Sequence, residues 1–510
     1  MSGARCAQRR GVGATTQRED SSPRRPSLLC IAYAFAPVNR SGTHRTLGFI
    51  RHLDRWGWDA TVLTVEPQGE PVDAELEKRV PASTTVVRTH WAPLTRRVRE
   101  LCGFARAGAG RRRENSADSD SSKANAPMAS ASVVEKSLRD WFSRLLLTPD
   151  SRLGWVFPAV RAARRAIRHR DHQVIYSTSP FASAHLIALA VSRWTGLPWV
   201  ADFRDPWRGN PFRTLGYQSL ERWDAWLERQ VYRHATRIVC NTPTQQARLV
   251  ERLPWTTQKT VTVPNGFDAE WIAQARPHRT VGRDHFVMVH CGNCYGPRSP
   301  LALFGALRRV ADRSPRIAQR VRVLLVGDDG YNGHSLSALA DRFGVRGMVE
   351  IVGVRPHAEA IGLLLGADAS IVLGVAGPGG ELQVPNKLYE YLAVRKPILA
   401  LAPSTGAIAE VLGRASADHL ICDPRDEEQI AVGIELMVKQ RHGFVDAPWS
   451  GVAWYDRRRS AYALARMFDE ISGAALAPPS PRPTWDAASE PPEAGRLHRP
   501  RMAMNVLAQA

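Results

Sequence analysis

The chain has 510 residues, enough at ~150 residues per domain for about three units, or two large ones with unstructured ends. Hydrophobic residues make up 44%, which supplies a packed interior and excludes wholesale disorder. The formal net charge of +20 asks for an anionic partner.

No apolar run approaches the ~20 residues needed to cross a bilayer. MSGARCAQRRG has no apolar stretch after its arginines, so no secretory signal is expected there. Seven cysteines, an odd number spread from Cys6 to Cys422, do not make a disulfide framework and point to a reducing cytoplasm. The charge is concentrated. Residues 1–26 carry six Arg against Glu19 and Asp20, 96–113 carry seven against Glu100, and 161–170 carry five and no acid. The rest is near balance, which disfavours a uniformly basic nucleic-acid surface and favours a few basic arms or patches.

In chain order, residues 1–26 read as a disordered basic tail. LLCIAYAF (28–35) reads as a strand, followed by a helix from about His44 to Trp56 and a second strand at 60–65. Residues 104–132 collapse into Gly, Ala, Ser, Asp and Arg, an insertion without a core. A helix with one apolar face is predicted over 133–147, and a basic helix around 158–170. Strands follow at 174–178, 199–203, 237–241 and 260–266, with helices at 181–194 and 217–233. After a polar linker, a second series has strands at 286–290, 321–327, 349–353, 369–374, 397–402 and 419–423. Two helices are expected in 429–473, then a Pro-rich disordered tail from 474. The fold class predicted is α/β, two Rossmann-like domains in series, with small-molecule sites at the carboxyl ends of the strands.

Neither G-x-G-x-x-G nor the P-loop pattern follows a strand. After the first strand, NRSGTHR (39–45) places Gly42 at a helix start, where backbone N–H groups receive an anion; a simple helix cap is the other reading. His44 shares that first turn. STSP (177–180) and DFRDPW (202–207) end two further strands, so their hydroxyls, Asp202, Arg204 and Asp205 are expected at the same edge. An Asp–Arg pair tying down a loop accounts for them equally well. In HCGNCYGPRSP (290–300), Cys291 and Cys294 lack the second pair that zinc needs, and Tyr-Gly-Pro separates them from the helix, so the C-x-x-C reads as coincidence. Arg298 either clamps a diphosphate or is a solvated arginine. In GPGGELQVPNKLYEYLAVRKPILAL (377–401), a Gly-rich loop with Glu381 leads into a helix whose first turn holds Lys387 and Glu390. Free N–H groups near Asn386 and Lys387 suit a phosphate, and Glu390 suits a pair of ribose hydroxyls.

These pieces, in this order, resemble the retaining, nucleotide-sugar-dependent glycosyltransferases of family four (group 1), with the GT-B fold. The likeness is carried by SGTHRTLGFIRHLDRWGWDATVLTV, IYSTSPFASAHLIAL…GLPWVADFRDPW, VPNGFD, CGNCYGPRSPLALFGAL, VRVLLVGDDG and VPNKLYEYLAVRKPILAL. It implies an acceptor domain at 27–270, a donor domain at 285–430, and helices at 431–473 crossing back to the first domain. It implies donor contacts by Gly42, Asn293, Arg298, Glu381, Asn386, Lys387, Leu388 and Glu390. Arg298 and Lys387 would neutralise the diphosphate, with Asp202, Asp205 and His44 as further catalytic or acceptor-handling candidates. The family's first glutamate, eight residues before the ribose-binding one, is Leu382 here, with Glu381 displaced by one.

The implied reaction moves a sugar from a UDP- or GDP-sugar to a saccharide or lipid-linked acceptor, with no cofactor and no metal. The implied setting is cell-surface polysaccharide synthesis in the cytoplasm, peripheral at the inner membrane face. The arginines at 161, 164, 165 and 168 fit contact with an anionic membrane or a solvated helix face equally well. Two rivals are carried: a GT-B nucleotide-sugar epimerase or inactive scaffold, and a basic nucleic-acid-binding protein. The second is disfavoured because the clusters lack interleaved aromatics.

Overall fold

The computed structural model describes residues 25–94, 138–441 and 449–473. Most of the 1–26 tail, the 104–132 insertion, the start of the 133–147 helix and the 474–510 tail lie outside the described residues.

Two all-parallel sheets carry the fold. The first has seven strands: β1 (Ser27–Ala32), β2 (Asp59–Val65), β3 (Thr85–Thr89), β4 (Val174–Thr178), β5 (Trp199–Phe203), β6 (Arg237–Cys240) and β7 (Thr260–Thr262), in the order β3-β2-β1-β4-β5-β6-β7. The second has six: β8 (Phe286–Cys291), β9 (Val321–Val326), β10 (Val349–Ile351), β11 (Ala369–Leu373), β12 (Ile398–Leu401) and β13 (His419–Cys422), in the order β10-β9-β8-β11-β12-β13. The strand order reverses beside β1 and beside β8, so each sheet has a switch point where loops diverge and leave a crevice.

Both sheets are covered on both faces, which is why their strands read as nearly unbroken apolar runs. Leu29 and Ile31 pack with Trp155, Ile187 and Trp199 on one face of the first sheet. Leu28, Cys30 and Ala32 pack with Leu47, Ile50, Leu464 and Phe468 on the other. Leu464 and Phe468 belong to the helix Arg457–Ser472, which returns from the second sheet to lie against the helix Ser41–Arg55. Its first residue anchors it: the buried Arg457 guanidinium donates to Asp268 and to the Gly266 carbonyl. It occupies the space over Gly48, where an added Cβ would collide with it.

Several details differ from the sequence expectation, among them the unanticipated helix Pro243–Arg252 and a first strand that ends at Ala32 rather than at 35. β3 and the helix Ala74–Lys78 were not anticipated, because TVVRT is a short, partly exposed edge strand with little apolar contrast. β7 stops at Thr262, since the chain turns through Pro264 and pairs instead with the return segment, Phe267 N–H donating to Tyr455 O at 3.1 Å. The tail of the fold has three described helices, Glu427–Lys439, Trp449–Ala453 and Arg457–Ser472, where two were expected.

Candidate functional site

At the carboxyl edge of the first sheet, three loops interlock. Arg204, after β5, donates from Nη1 to Ser41 Oγ at 2.9 Å and from Nε and Nη2 to Asp205 Oδ2 at 3.1 and 3.0 Å. Its backbone N–H donates to Ser179 Oγ at 2.8 Å. Gly42 is buried beneath this arginine. An added Cβ would lie 3.4 Å from Pro180 and 3.5 Å from Arg204 Nη1, ordinary contacts, so neighbouring packing alone does not demand glycine. His44 Nε2–H donates to Asn39 Oδ1 at 3.1 Å.

Asp202 takes a different place from the one expected. It is fully buried, and its oxygens accept from Arg45 Nε (2.9 Å), Arg45 Nη2 (2.6 Å), Tyr176 OH (2.8 Å) and Thr178 Oγ1 (2.7 Å). Burial alone would raise its pKa, but the Arg45 charge and these bonds hold it below the ordinary carboxylate value. Asp202 is therefore the counterion of a buried arginine rather than a group open to substrate. The STSP hydroxyls likewise turn inward: Ser177 meets His185 and Trp199, Thr178 meets Asp202, and Ser179 meets the Arg204 backbone. Asp205 stays partly exposed beside Arg204.

On the second sheet, the helix Lys387–Val394 begins with Asn386 as its N-cap. The Glu390 carboxylate, 12% exposed, accepts from His357 Nε2 at 2.9 Å on one oxygen and faces Lys387 Nζ at 3.6 Å on the other. Desolvation opposes its charge, yet Lys387 and His357 hold its pKa well below the usual range. Lys387 is pushed up by Glu390, so both stay charged. Leu388 is wholly buried, and its N–H donates to Pro385 O at 3.0 Å, so neither its side chain nor its N–H is free for a ligand. The Tyr389 N–H is also used, by Asn386 O at 3.3 Å.

The loop after β8 brings in Arg298. Its Nη1 donates to Tyr295 OH at 3.1 Å, and the guanidinium lies 5.8 Å from the ring of Phe212, which belongs to the first sheet's 204–213 loop. The buried His290, whose Nδ1 pairs with Ile371 O at 3.0 Å, has its pKa lowered to about 4, chiefly by burial, against that bond and with lesser contributions from the Arg298 and Lys387 charges. The buried polar atoms without a partner on these two segments include His290 Nε2, Gln383 Nε2, Asn386 Oδ1 and Arg298 Nε. Such orphans are costly in a closed interior and are natural where a polar ligand enters. Asn293 trades hydrogen bonds with Asp328 and so ties the β8 and β9 loops together. Glu381, one-third exposed, lies 3.9 Å from Arg248 of the first sheet's helices. Gly379, at φ +81°, lets its loop approach the Gly209 carbonyl across the crevice.

The two edges meet. The His44 ring lies over His357 with centroids 6.1 Å apart, and burial, then Lys387 and His357, press the His44 pKa down to about 3. The arrangement thus gathers His44, His357, Glu390 and Lys387 on one wall and Arg298 with Phe212 and Tyr295 on another. His357, His290 and Phe212 had no signal in the sequence beyond their residue type. Cys291 and Cys294 are buried free thiols, pushed up to about 12 by burial. Among the described residues no group of three or more His, Cys, Asp or Glu side chains is placed to hold a metal ion.

Comparison with known proteins bears on this geometry. The sequence model described as Glycosyltransferase Family 4 matches residues 126–271, and that described as Glycosyl transferases group 1 matches 286–440. No curated protein matches the sequence. Among solved structures, sucrose-phosphate synthase from Thermosynechococcus elongatus is similar at 12% identity and TM-score 0.59, over 88% of this chain and 100% of that one. Anabaena HepE, crystallised with UDP-glucose, is similar at 15% identity and TM-score 0.55, over 87% and 100%. A glycosyltransferase from Rickettsia africae is similar at 12% and 0.54, over 89% and 100%. At these identities the likeness establishes the fold, two facing parallel-sheet domains of the GT-B kind.

Proposed function

The chain belongs to the family 4, group 1 glycosyltransferases, and from that premise we propose that it transfers a sugar from a UDP- or GDP-sugar to a saccharide or lipid-linked acceptor, with retention of configuration and without a metal. The observation that carries this reading is the Glu390 carboxylate, held between His357 Nε2 and Lys387 Nζ at a helix start, with the unpartnered polar atoms His290 Nε2, Asn386 Oδ1 and Arg298 Nε on the same two segments.

Breaking a sugar–phosphate bond builds positive charge at the anomeric carbon and negative charge on the departing diphosphate. Two cations already in place stabilise that negative charge without reorganising, and removal of such a contact typically costs ~3–4 kcal/mol of barrier lowering. Glu390 receives the ribose hydroxyls. In the retaining course, the acceptor oxygen bonds to the anomeric carbon on the leaving group's own face as the carbon–phosphate oxygen bond breaks. The acceptor proton passes to the departing phosphate, so no protein base is required. Gly42 leaves room for a phosphate beside the first domain's loop, Asp205 faces the acceptor side, His44 lies between the acceptor side and the His357 ring, and Glu381 serves the donor sugar in place of the glutamate that Leu382 displaces. Asn293 and Asn386 shape the loops around the donor, and Asp202 acts at one remove, through Arg45.

Membrane contact belongs to the same proposal, with the synthesis of cell-surface glycans at the cytoplasmic face as its setting. The helix Val156–His169 exposes Arg161, Arg164, Arg165 and Arg168 with no acid among them, and Phe157 is 79% exposed. Arg164 covers the half-exposed Trp194 at 4.5 Å. A groove of about 770 Å³ beside it is lined by Arg88, Arg161, Arg165 and Arg170. Guanidinium and aromatic side chains side by side suit an anionic lipid surface, where each basic residue contributes ~1 kcal/mol.

The test is thermal stabilisation by a panel of nucleoside diphosphates and nucleotide sugars, repeated with Glu390→Ala, followed by product analysis with saccharide acceptors. Selective stabilisation lost in the variant, with transfer, supports the reading. Nucleotide binding without transfer to any acceptor supports the non-transferring alternative that Leu382 invites. A flat response across the panel counts against both.

A further inference from the structure

His357 opens the helix His357–Gly366, 33 residues from Glu390 in sequence, and gives its Nε2–H to Glu390 Oε1 at 2.9 Å. Lys387 Nζ stands 3.6 Å from the other oxygen. The carboxylate is thus held at both ends, and each oxygen retains a lone pair for a ligand hydroxyl.

What holds the His357 ring comes from outside its own sheet. His44, at the start of the first domain's helix, lies nearly parallel to it at 6.1 Å and 27°. Trp271, in the segment joining the two sheets, meets it edge-on at 5.1 Å and 79°. Trp271 is itself covered by the guanidiniums of Arg79, at 4.3 Å, and Arg51, at 5.9 Å, both from the first domain. Parting the two domains at this point removes His44 from the ring. His44 is neutral in this stack, so no charge on its ring opposes the approach.

We propose that His357 is the positioning residue of the donor site, aiming the Glu390 carboxylate, and that its stack with His44 makes donor capture depend on the closed approach of the two domains. The proposal rests on Glu390 being the donor-binding carboxylate. It makes the first domain a contributor to donor affinity through a residue that does not touch the donor.

The experiment is calorimetric titration of the full-length protein with UDP and GDP, using whichever nucleotide the wild type binds. His357→Phe keeps the ring and loses the hydrogen bond, and should weaken binding about tenfold, as expected for loss of a bond to a charged group. His357→Gln keeps a donor and should retain more affinity than His357→Phe. The decisive comparison is a double-mutant cycle: in a Glu390→Ala background, His357→Phe should have no further effect. His44→Ala should weaken binding several-fold in the wild type and have no effect beside His357→Gln. An equal cost of His357→Phe with and without Glu390 overturns the inference, as does an unchanged affinity in both His357 variants while Glu390→Ala loses binding. If Glu390→Ala itself binds like the wild type, the donor-site reading fails first. Thermal midpoints of every variant separate these outcomes from misfolding.

Discussion

Arg45 and Asp202, 157 residues apart in sequence, form a two-bond ion pair at 2.9 and 2.6 Å, with neither side chain more than 1% exposed. Arg45 also donates to Asn265 Oδ1 at 2.6 Å and to Val263 O at 3.0 Å, so one guanidinium joins the ends of β5 and β7 to the first helix. Removing one partner of such a pair leaves a buried charge uncompensated, at about 3–5 kcal/mol. Asp202→Ala should therefore lower the unfolding free energy from urea titration by that order, and the midpoint with it, with activity falling in step with the folded fraction. An unchanged midpoint with abolished turnover would return Asp202 to a direct role in chemistry.

The return helix makes a second demand on stability. Gly48 faces the Arg457 side chain so closely that an added methyl must displace it, and Arg457 is tied to Asp268 and Gly266. Overpacking of this kind costs about 1–3 kcal/mol. Gly48→Ala should lower the thermal midpoint clearly, whereas Gly57→Ala, whose neighbourhood is open but whose φ is +83°, tests backbone strain alone. Equal small losses in both would contradict the packing argument.

Acid should destabilise the fold well before carboxylates are neutralised. Burial lowers His44 and His185 to about 3, and His172 and His290 to about 4, from an ordinary 6.5. The unfolded chain then takes up protons first as pH falls, so stability is highest above about pH 6.5 and declines towards pH 4 and below. Thermal midpoints measured from pH 8 to pH 4 should fall monotonically on the acid side. A midpoint that rises on acidification over that span would show that these histidines are not buried neutral.

Glu381 offers a way to separate sugar from nucleotide. It stands beside Leu382 on the loop that reaches across the crevice and is one-third exposed. Glu381→Ala should leave nucleoside diphosphate affinity unchanged and weaken nucleotide-sugar affinity about tenfold, the loss of one charged hydrogen bond. Equal effects on both ligands would place Glu381 outside the sugar's reach.

Much of the fold was legible because buried parallel strands announce themselves as apolar runs: β4 and β5 fall on the expected residues without adjustment. The edge strand β3 was not, since an exposed edge needs no such run. Arg298 was legible as a polar group in a strand-to-helix loop, and Lys387 and Glu390 as polar groups in the first turn of a helix. Asp202 stood at the equally suggestive end of β5, but the fold turns it inward onto an arginine that only the tertiary structure supplies. His357 and Phe212 could not be found at all from spacing, because each gains its meaning from a partner on the other domain. The Leu388 expectation failed for a simpler reason: one position into a helix, an apolar side chain goes to the core.

The central claim, that Arg298 and Lys387 grip a diphosphate, is tested most directly by calorimetry of nucleoside against nucleoside diphosphate. The wild type should bind the diphosphate at least about tenfold more tightly than the bare nucleoside. In Arg298→Ala/Lys387→Ala that advantage should vanish while weak nucleoside binding persists. Equal affinity for both ligands in the wild type, or a diphosphate preference untouched by the double substitution, would contradict the account.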